Sequence, residues 1–247
     1  MQGHGGARLA VHRLGAGRPA LLLHGLFSSA QVNWIKYGTA AKLAAAGFEC
    51  IMPDLRAHGA SDAPHEPQAY PHDVLVRDAL ALVASLGLTD YDLCGFSLGA
   101  RTAVQAVVEG LRPRRLVLGG MGLEGLSGWA RRSAHFVDAI DRFGTIERGD
   151  PAFIAQAFMK TMQIDRVAAR QLLLSVQDVP AGALAAISMP ALVVCGAEDG
   201  DNGSAPALAE ALPDGHYAEV PGNHMSSVTK PEFGQAICDF LSETAAR

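Results

Sequence analysis

Tyr91-Asp92-Leu93-Cys94-Gly95-Phe96-Ser97-Leu98-Gly99-Ala100 reads as an apolar strand running into Gly-x-Ser-x-Gly and then into a helix. A serine at a sharp strand-to-helix turn is held in a strained backbone conformation with its hydroxyl exposed. Glycines at 95 and 99 omit side chains where the strand and helix would otherwise collide. The helix start also aims unpaired backbone N–H groups at any negative charge developing beside the serine. Ser97 is therefore the candidate nucleophile.

Outward from this turn, short apolar runs alternate with helical patterns. Strand-like runs fall at 9–14, 20–23, 48–52, 91–94, 116–119, 191–195 and 216–220. Helical patterns fall at 31–46, 72–86, 98–109, 205–212 and 232–244. Continuous apolar strands separated by amphipathic helices predict a parallel sheet covered on both faces, with ligands at the carboxyl ends of its strands. The alternation stops over 124–187, where helical patterns at 129–143, 152–162 and 166–176 occur without a strand. A long helical insertion at the strand-end face is the pattern of a lid.

The chain has 247 residues, 49% of them hydrophobic and 18% charged, which suits one large α/β domain and excludes a disordered tail protein. A net charge of −5 gives no general attraction to nucleic acid or to an anionic membrane. The basic cluster Arg112-Pro113-Arg114-Arg115 reads as a solvated turn. The first apolar run is too short for a signal peptide or a membrane span, so a soluble, cytoplasmic protein is expected. Cys50, Cys94, Cys195 and Cys238 are far apart and without a Cys-x-x-Cys pair, the pattern of buried free thiols. No metal site is expected, the even spacing of His58, His65 and His72 being read as incidental.

A serine hydroxyl needs a base. His224 lies on the loop after the last strand, at the edge where Ser97 emerges. The base needs an acid to hold its tautomer, and the loop Gly196-Ala197-Glu198-Asp199-Gly200-Asp201 supplies three. Asp199 is favoured because a short loop aims it back across the sheet end, with Glu198 and Asp201 directed to water or to a helix cap and Glu124 as an outside candidate. For the oxyanion, the Leu98 N–H follows the nucleophile directly, and the turn His24-Gly25-Leu26-Phe27 offers the N–H of Leu26. His24 is assigned to bracing that turn.

With these residues in place, the chain resembles the α/β-hydrolase superfamily, specifically small, lid-bearing, esterase-like serine hydrolases. His24-Gly25 is similar to the family's oxyanion turn, Asp54-Leu55-Arg56-Ala57-His58-Gly59-Ala60-Ser61 to its Asp-x-Arg-Gly-His-Gly-x-Ser loop, and Gly95–Gly99 to its nucleophile elbow. Gly196–Asp199 resembles the acid loop, and Gly222-Asn223-His224 the base loop with one residue fewer. Ala57 departs from the pattern, standing where glycine is usual. The resemblance implies a mostly parallel central sheet of about eight strands flanked by helices. Residues 1–123 and 188–247 would form the core and 124–187 a helical lid. It further implies that Arg56 and His58 serve their own loop's hydrogen bonding.

The expected chemistry is covalent acyl transfer without a cofactor. Ser97 attacks a small to medium ester, thioester or lactone, His224 moves the proton, Asp199 orients His224, and the amides of Leu26 and Leu98 hold the oxyanion. Phe27, Phe96, Met121, Trp129 and Met225 are candidate substrate-binding residues, with Phe136, Phe158, Met159 and Met162 as further apolar candidates. Arg131 and Arg132 read as a solvated helix face, the steering of an acidic substrate being the alternative. Two rival functions are a lyase that uses the same triad to abstract a proton and a ligand receptor with vestigial chemistry. The partner is a small-molecule ester, with no nucleic acid or membrane, and the oligomeric state is not readable.

Overall fold

Strand residues that alternate between two apolar faces organise the molecule. The computed structural model describes residues 1–180 and 182–243. The strands are β1 (Val11–Gly15), β2 (Arg18–Leu23), β3 (Phe48–Pro53), β4 (Asp92–Phe96), β5 (Leu116–Gly119), β6 (Ala191–Gly196) and β7 (Gly215–Val220). They form one sheet in the order β1-β3-β2-β4-β5-β6-β7. β1 runs antiparallel to β3 and every other pairing is parallel.

Leu21, Leu23, Ile51 and Leu93 enter the core on one face of the sheet, while Ala20, Leu22, Cys50, Met52 and Cys94 enter the core on the other. This period of two within continuously apolar strands is what a sheet buried on both sides requires. Each fully buried leucine contributes about 1.5–3 kcal/mol of hydrophobic stabilisation. One face is covered by α2 (Val74–Leu86) and α3 (Leu98–Val108), and the other by α1 (Thr39–Ala45) and α8 (Pro231–Ser242). The helix α7 (Ala205–Ala211) joins β6 to β7 and opens on Ser204, whose Oγ accepts from the Ala207 N–H at 3.1 Å.

Between β5 and β6 the chain leaves the sheet for three helices: α4 (Trp129–Asp141), α5 (Phe153–Thr161) and α6 (Arg166–Ser175). No strand interrupts them among the described residues. Asp165 caps α6 by accepting from the N–H groups of Val167 and Ala168, both at 3.0 Å.

Two expectations are corrected. The sheet has seven strands among the described residues, where about eight were expected. The glycine-rich segment ahead of β1 forms a short 3-10 turn at His4–Gly6 and an isolated bridge between Gln2 and Arg8, and adds no strand to the sheet. The helix expected over 31–46 is broken: Gln31–Ile35 is a π-helical turn, and Gly38 takes φ 86° before α1 begins. That left-handed residue redirects the chain. Thr244, given to the last helix by its pattern, lies outside the described residues, and α8 ends at Ser242. No helix among the described residues is long and apolar enough to cross a membrane. All four cysteines are buried and free.

Candidate active site

Ser97 closes β4 and opens α3 at φ 52° and ψ −113°, a backbone conformation disfavoured for any side chain. Close packing enforces this turn. A Cβ on Gly95 would lie 2.3 Å from the Gly99 carbonyl oxygen, and one on Gly99 would lie 2.2 Å from the Leu23 carbonyl oxygen. The Ser97 N–H donates to the Gly119 carbonyl at 2.8 Å, tying the turn to the next strand.

The loops after β6 and β7 bring the other two groups to this serine. His224 Nε2 lies 3.0 Å from Ser97 Oγ, and His224 Nδ1 lies 2.9 Å from Asp199 Oδ2. The N–H groups of Ala197 and Glu198 donate to the carbonyls of Val220 and Gly222, so the two loops are laced together. Asn223 Oδ1 accepts from the N–H groups of Met225 and Ser226, which tightens the turn presenting His224. Phe96 stacks against the His224 ring at 5.1 Å between centroids. Burial alone would raise the Asp199 carboxyl, but hydrogen bonding and charge from His224 outweigh it and hold Asp199 below the usual aspartate value.

The turn after β2 is built from side chains that sequence reading largely missed. Asn33 Oδ1 accepts from the Gly25 N–H at 2.8 Å, and His58 Nε2 accepts from the Phe27 N–H at 2.9 Å. His24 Nε2 accepts from the Leu55 N–H at 2.9 Å, while its Nδ1 lies 2.8 Å from the Gly25 carbonyl. Each of these buried histidines thus acts as a neutral ring with one donor and one acceptor nitrogen. Burial pulls His24 down to about 3 and His58 down to about 4. Between these braces the amides of Leu26 and Leu98 find no acceptor among the described residues. Both residues line the same cavity as Ser97.

Asn33 could have been suspected from a polar residue inside an apolar helical pattern, whereas its target Gly25 could not. The expectation that Arg56 and His58 serve their own loop is corrected. The buried Arg56 guanidinium leaves the loop to pair with Asp78 on α2 through two contacts of 2.7 and 3.0 Å and to donate to the Ala69 and His4 carbonyls. Only His58 Nδ1 stays within the loop, beside the Arg56 carbonyl. Ala57 adopts φ 66°, so the left-handed turn persists without the usual glycine.

The cavity over Ser97 has a volume of about 840 Å³. Phe27, Phe96, Trp129 and Met225 line it, together with Phe136 and Phe158. Phe136 meets Phe27 edge-on at 5.6 Å. Met121 does not line it, and this expectation is corrected: the side chain turns into the core at 2% exposure and packs beneath Gly125. Met159 is likewise a core residue. Glu124 is removed from the acid candidates, because its carboxylate accepts from the Ser204 N–H at 2.7 Å.

Asp199, Asp201 and His224 place oxygen and nitrogen atoms within 4.8 Å of one another, the spacing of a metal site. Both His224 nitrogens are already engaged by Ser97 and Asp199, so this cluster is accounted for by the hydrogen-bonded relay. His58 has both nitrogens committed to the backbone and His65 pairs with Asp165, so the evenly spaced histidines serve separate places.

Comparison with known proteins bears on the fold. A family model described as alpha/beta hydrolase fold matches residues 19–116. An epoxide hydrolase of Siraitia grosvenorii is 34% identical over 98 residues, 40% of this chain and 30% of that protein. The chain spans less than half the length of the curated relatives it matches, 40% of one and 42% of another. Among solved structures, a hydrolase from Pseudomonas aeruginosa PA01 superposes with a TM-score of 0.76 at 24% identity, covering 98% of this chain and 97% of that one. An esterase from Exiguobacterium antarcticum gives 0.75 at 19% identity, covering 98% of both chains.

Proposed function

We propose that this chain, which has the α/β-hydrolase fold, is a serine hydrolase of small to medium carboxylic esters. The observation that carries the reading is the continuous relay Ser97 Oγ–His224 Nε2, His224 Nδ1–Asp199 Oδ2, at 3.0 and 2.9 Å.

Ser97 Oγ attacks the ester carbonyl carbon as its proton passes to His224 Nε2. The negative charge moves to the carbonyl oxygen, where the N–H groups of Leu26 and Leu98 receive it. Collapse expels the alcohol, which takes the proton from His224, and leaves an acyl ester on Ser97. Water then attacks that ester with His224 again accepting a proton, releasing the acid and restoring the serine. Asp199 holds the Nδ1 proton and stabilises the imidazolium in both halves. Helices α4–α6 act as a lid, with Phe136 and Phe158 supplying apolar wall.

An acyl substrate suits Ser97 better than the epoxides named for some relatives. Serine attack on an epoxide forms an ether, which has no carbonyl for water to attack, so the enzyme would not turn over. An acylated serine is an ordinary ester and hydrolyses. The test is hydrolysis of p-nitrophenyl butyrate and octanoate by the wild type and Ser97→Ala. Turnover lost by about 10⁴-fold or more in the variant is expected. Turnover that persists in Ser97→Ala would refute the assignment.

A further inference from the structure

The cavity is not wholly apolar. Arg131, Arg132 and His135, neighbours on α4, line it along with Ser97 and His224. Arg132 is partly buried, and one of its N–H groups donates to the Asp201 backbone carbonyl at 2.5 Å. Neither Arg131 nor Arg132 has a carboxylate within 4.0 Å among the described residues, although Glu198 and Asp201 line the same cavity. Those two acids are exposed, where solvent screens them, while Arg132 sits deeper. Asp199, the buried acid nearby, is committed to His224.

Burial pulls the Arg132 guanidinium below its ordinary value, yet an arginine stays charged in a protein. A half-buried cation held by a neutral carbonyl, with its remaining donors free of protein acceptors, is incompletely compensated. A planar carboxylate matches its fork.

We propose that Arg132, supported by Arg131, is an anion subsite, and that the ester attacked at Ser97 carries a carboxylate elsewhere in its structure. The proposal rests on the serine hydrolase reading for the ester and on the cavity alone for the anion. Apolar wall at Phe136 and Phe158 and a cation at Arg132 then select half-esters of dicarboxylic acids over neutral esters of similar length.

Monophenyl glutarate and phenyl hexanoate, of comparable length, separate the possibilities. The wild type should favour the glutarate ester in kcat/KM. In Arg132→Gln the glutarate-to-hexanoate ratio should fall about 10- to 100-fold, the range for a lost charge-assisted hydrogen bond, with KM for the glutarate ester carrying the change. A ratio below one in the wild type, or one that Arg132→Gln leaves unchanged, overturns the subsite while leaving the hydrolase reading intact. Free glutarate gives a readout independent of turnover. It should raise the melting temperature of the wild type and not of Arg132→Gln, even if neither ester is cleaved. The absence of any glutarate-dependent shift in the wild type would also refute the subsite.

Discussion

Arg101 reaches from the helix behind Ser97 to Asp178, at the far end of the helical insertion, with 3.1 Å between Nη2 and Oδ1. The same guanidinium donates to the Gly125 carbonyl at 2.6 Å, near the insertion's start, and to the Gln177 carbonyl, near its end. Asp178 Oδ1 also accepts from the Trp129 N–H at 2.7 Å, at the positive end of α4. One buried arginine therefore gathers both necks of the insertion at the root of the nucleophile helix.

This arrangement predicts unequal costs. Asp178 is half-exposed, so the ion pair itself contributes little, whereas Arg101 is buried and satisfies two carbonyls. Arg101→Met should destabilise the fold by about 2–4 kcal/mol and Asp178→Asn by less than about 1 kcal/mol, measured by urea unfolding. Equal losses would mean that the charge pair, and not the carbonyl contacts, holds the necks.

Packing at the serine turn predicts that Gly99→Ala is poorly tolerated. Its Cβ would meet the Leu23 and His24 carbonyl oxygens at 2.2 and 2.7 Å, and both are rigid backbone. The expected loss is about 2–4 kcal/mol, measured by denaturant midpoint, together with lost ester turnover. A variant of wild-type stability would show that the strand and helix can separate at no cost.

The brace on the proposed oxyanion turn predicts a rate effect. Asn33→Ala frees the Gly25 N–H that Asn33 Oδ1 now accepts, loosening the segment that presents the Leu26 amide. A fall in kcat of about 10- to 100-fold with little change in KM is expected from steady-state kinetics. A change confined to KM would place Asn33 in substrate binding instead.

The buried histidines predict a stability that falls with acid. His24 and His58 are neutral when folded, with pKa values lowered by burial to about 3 and about 4, and they bind protons near 6.5 once unfolded. The unfolded state thus holds more protons below 6.5. Their contribution is fully present above that pH and is lost as pH falls toward 4, with a slope approaching about 2.7 kcal/mol per pH unit for two protons. Unfolding in urea at pH 7, 6 and 5 measures it, and His58→Gln should lower the slope toward one proton. Stability that stays flat across this range would contradict neutral braces.

Much of this was legible because it is local in the chain. Ser97, Asp199 and His224 each lie within four residues of the end of a sheet strand, and a parallel sheet gathers such loops at one edge whatever its finer packing. The glycines around Ser97 report contacts one turn away. What escaped depends on which way a side chain faces after the backbone has turned. Met121 also follows a strand, yet it folds inward beneath Gly125. Asn33 lies in a π-helical turn that the 31–46 pattern disguised as ordinary helix. Arg101 and Arg132 look like surface arginines on helices, and only the placement of the insertion makes one a buried clasp and the other part of the cavity wall.

The most direct measurement is labelling with a fluorophosphonate, followed by mass mapping of the modified peptide in wild type, Ser97→Ala and His224→Ala. Stoichiometric modification at Ser97, absent in Ser97→Ala and slowed by orders of magnitude in His224→Ala, is the predicted result. Modification at another residue, or labelling at Ser97 that is indifferent to His224, would contradict an activated Ser97–His224–Asp199 relay.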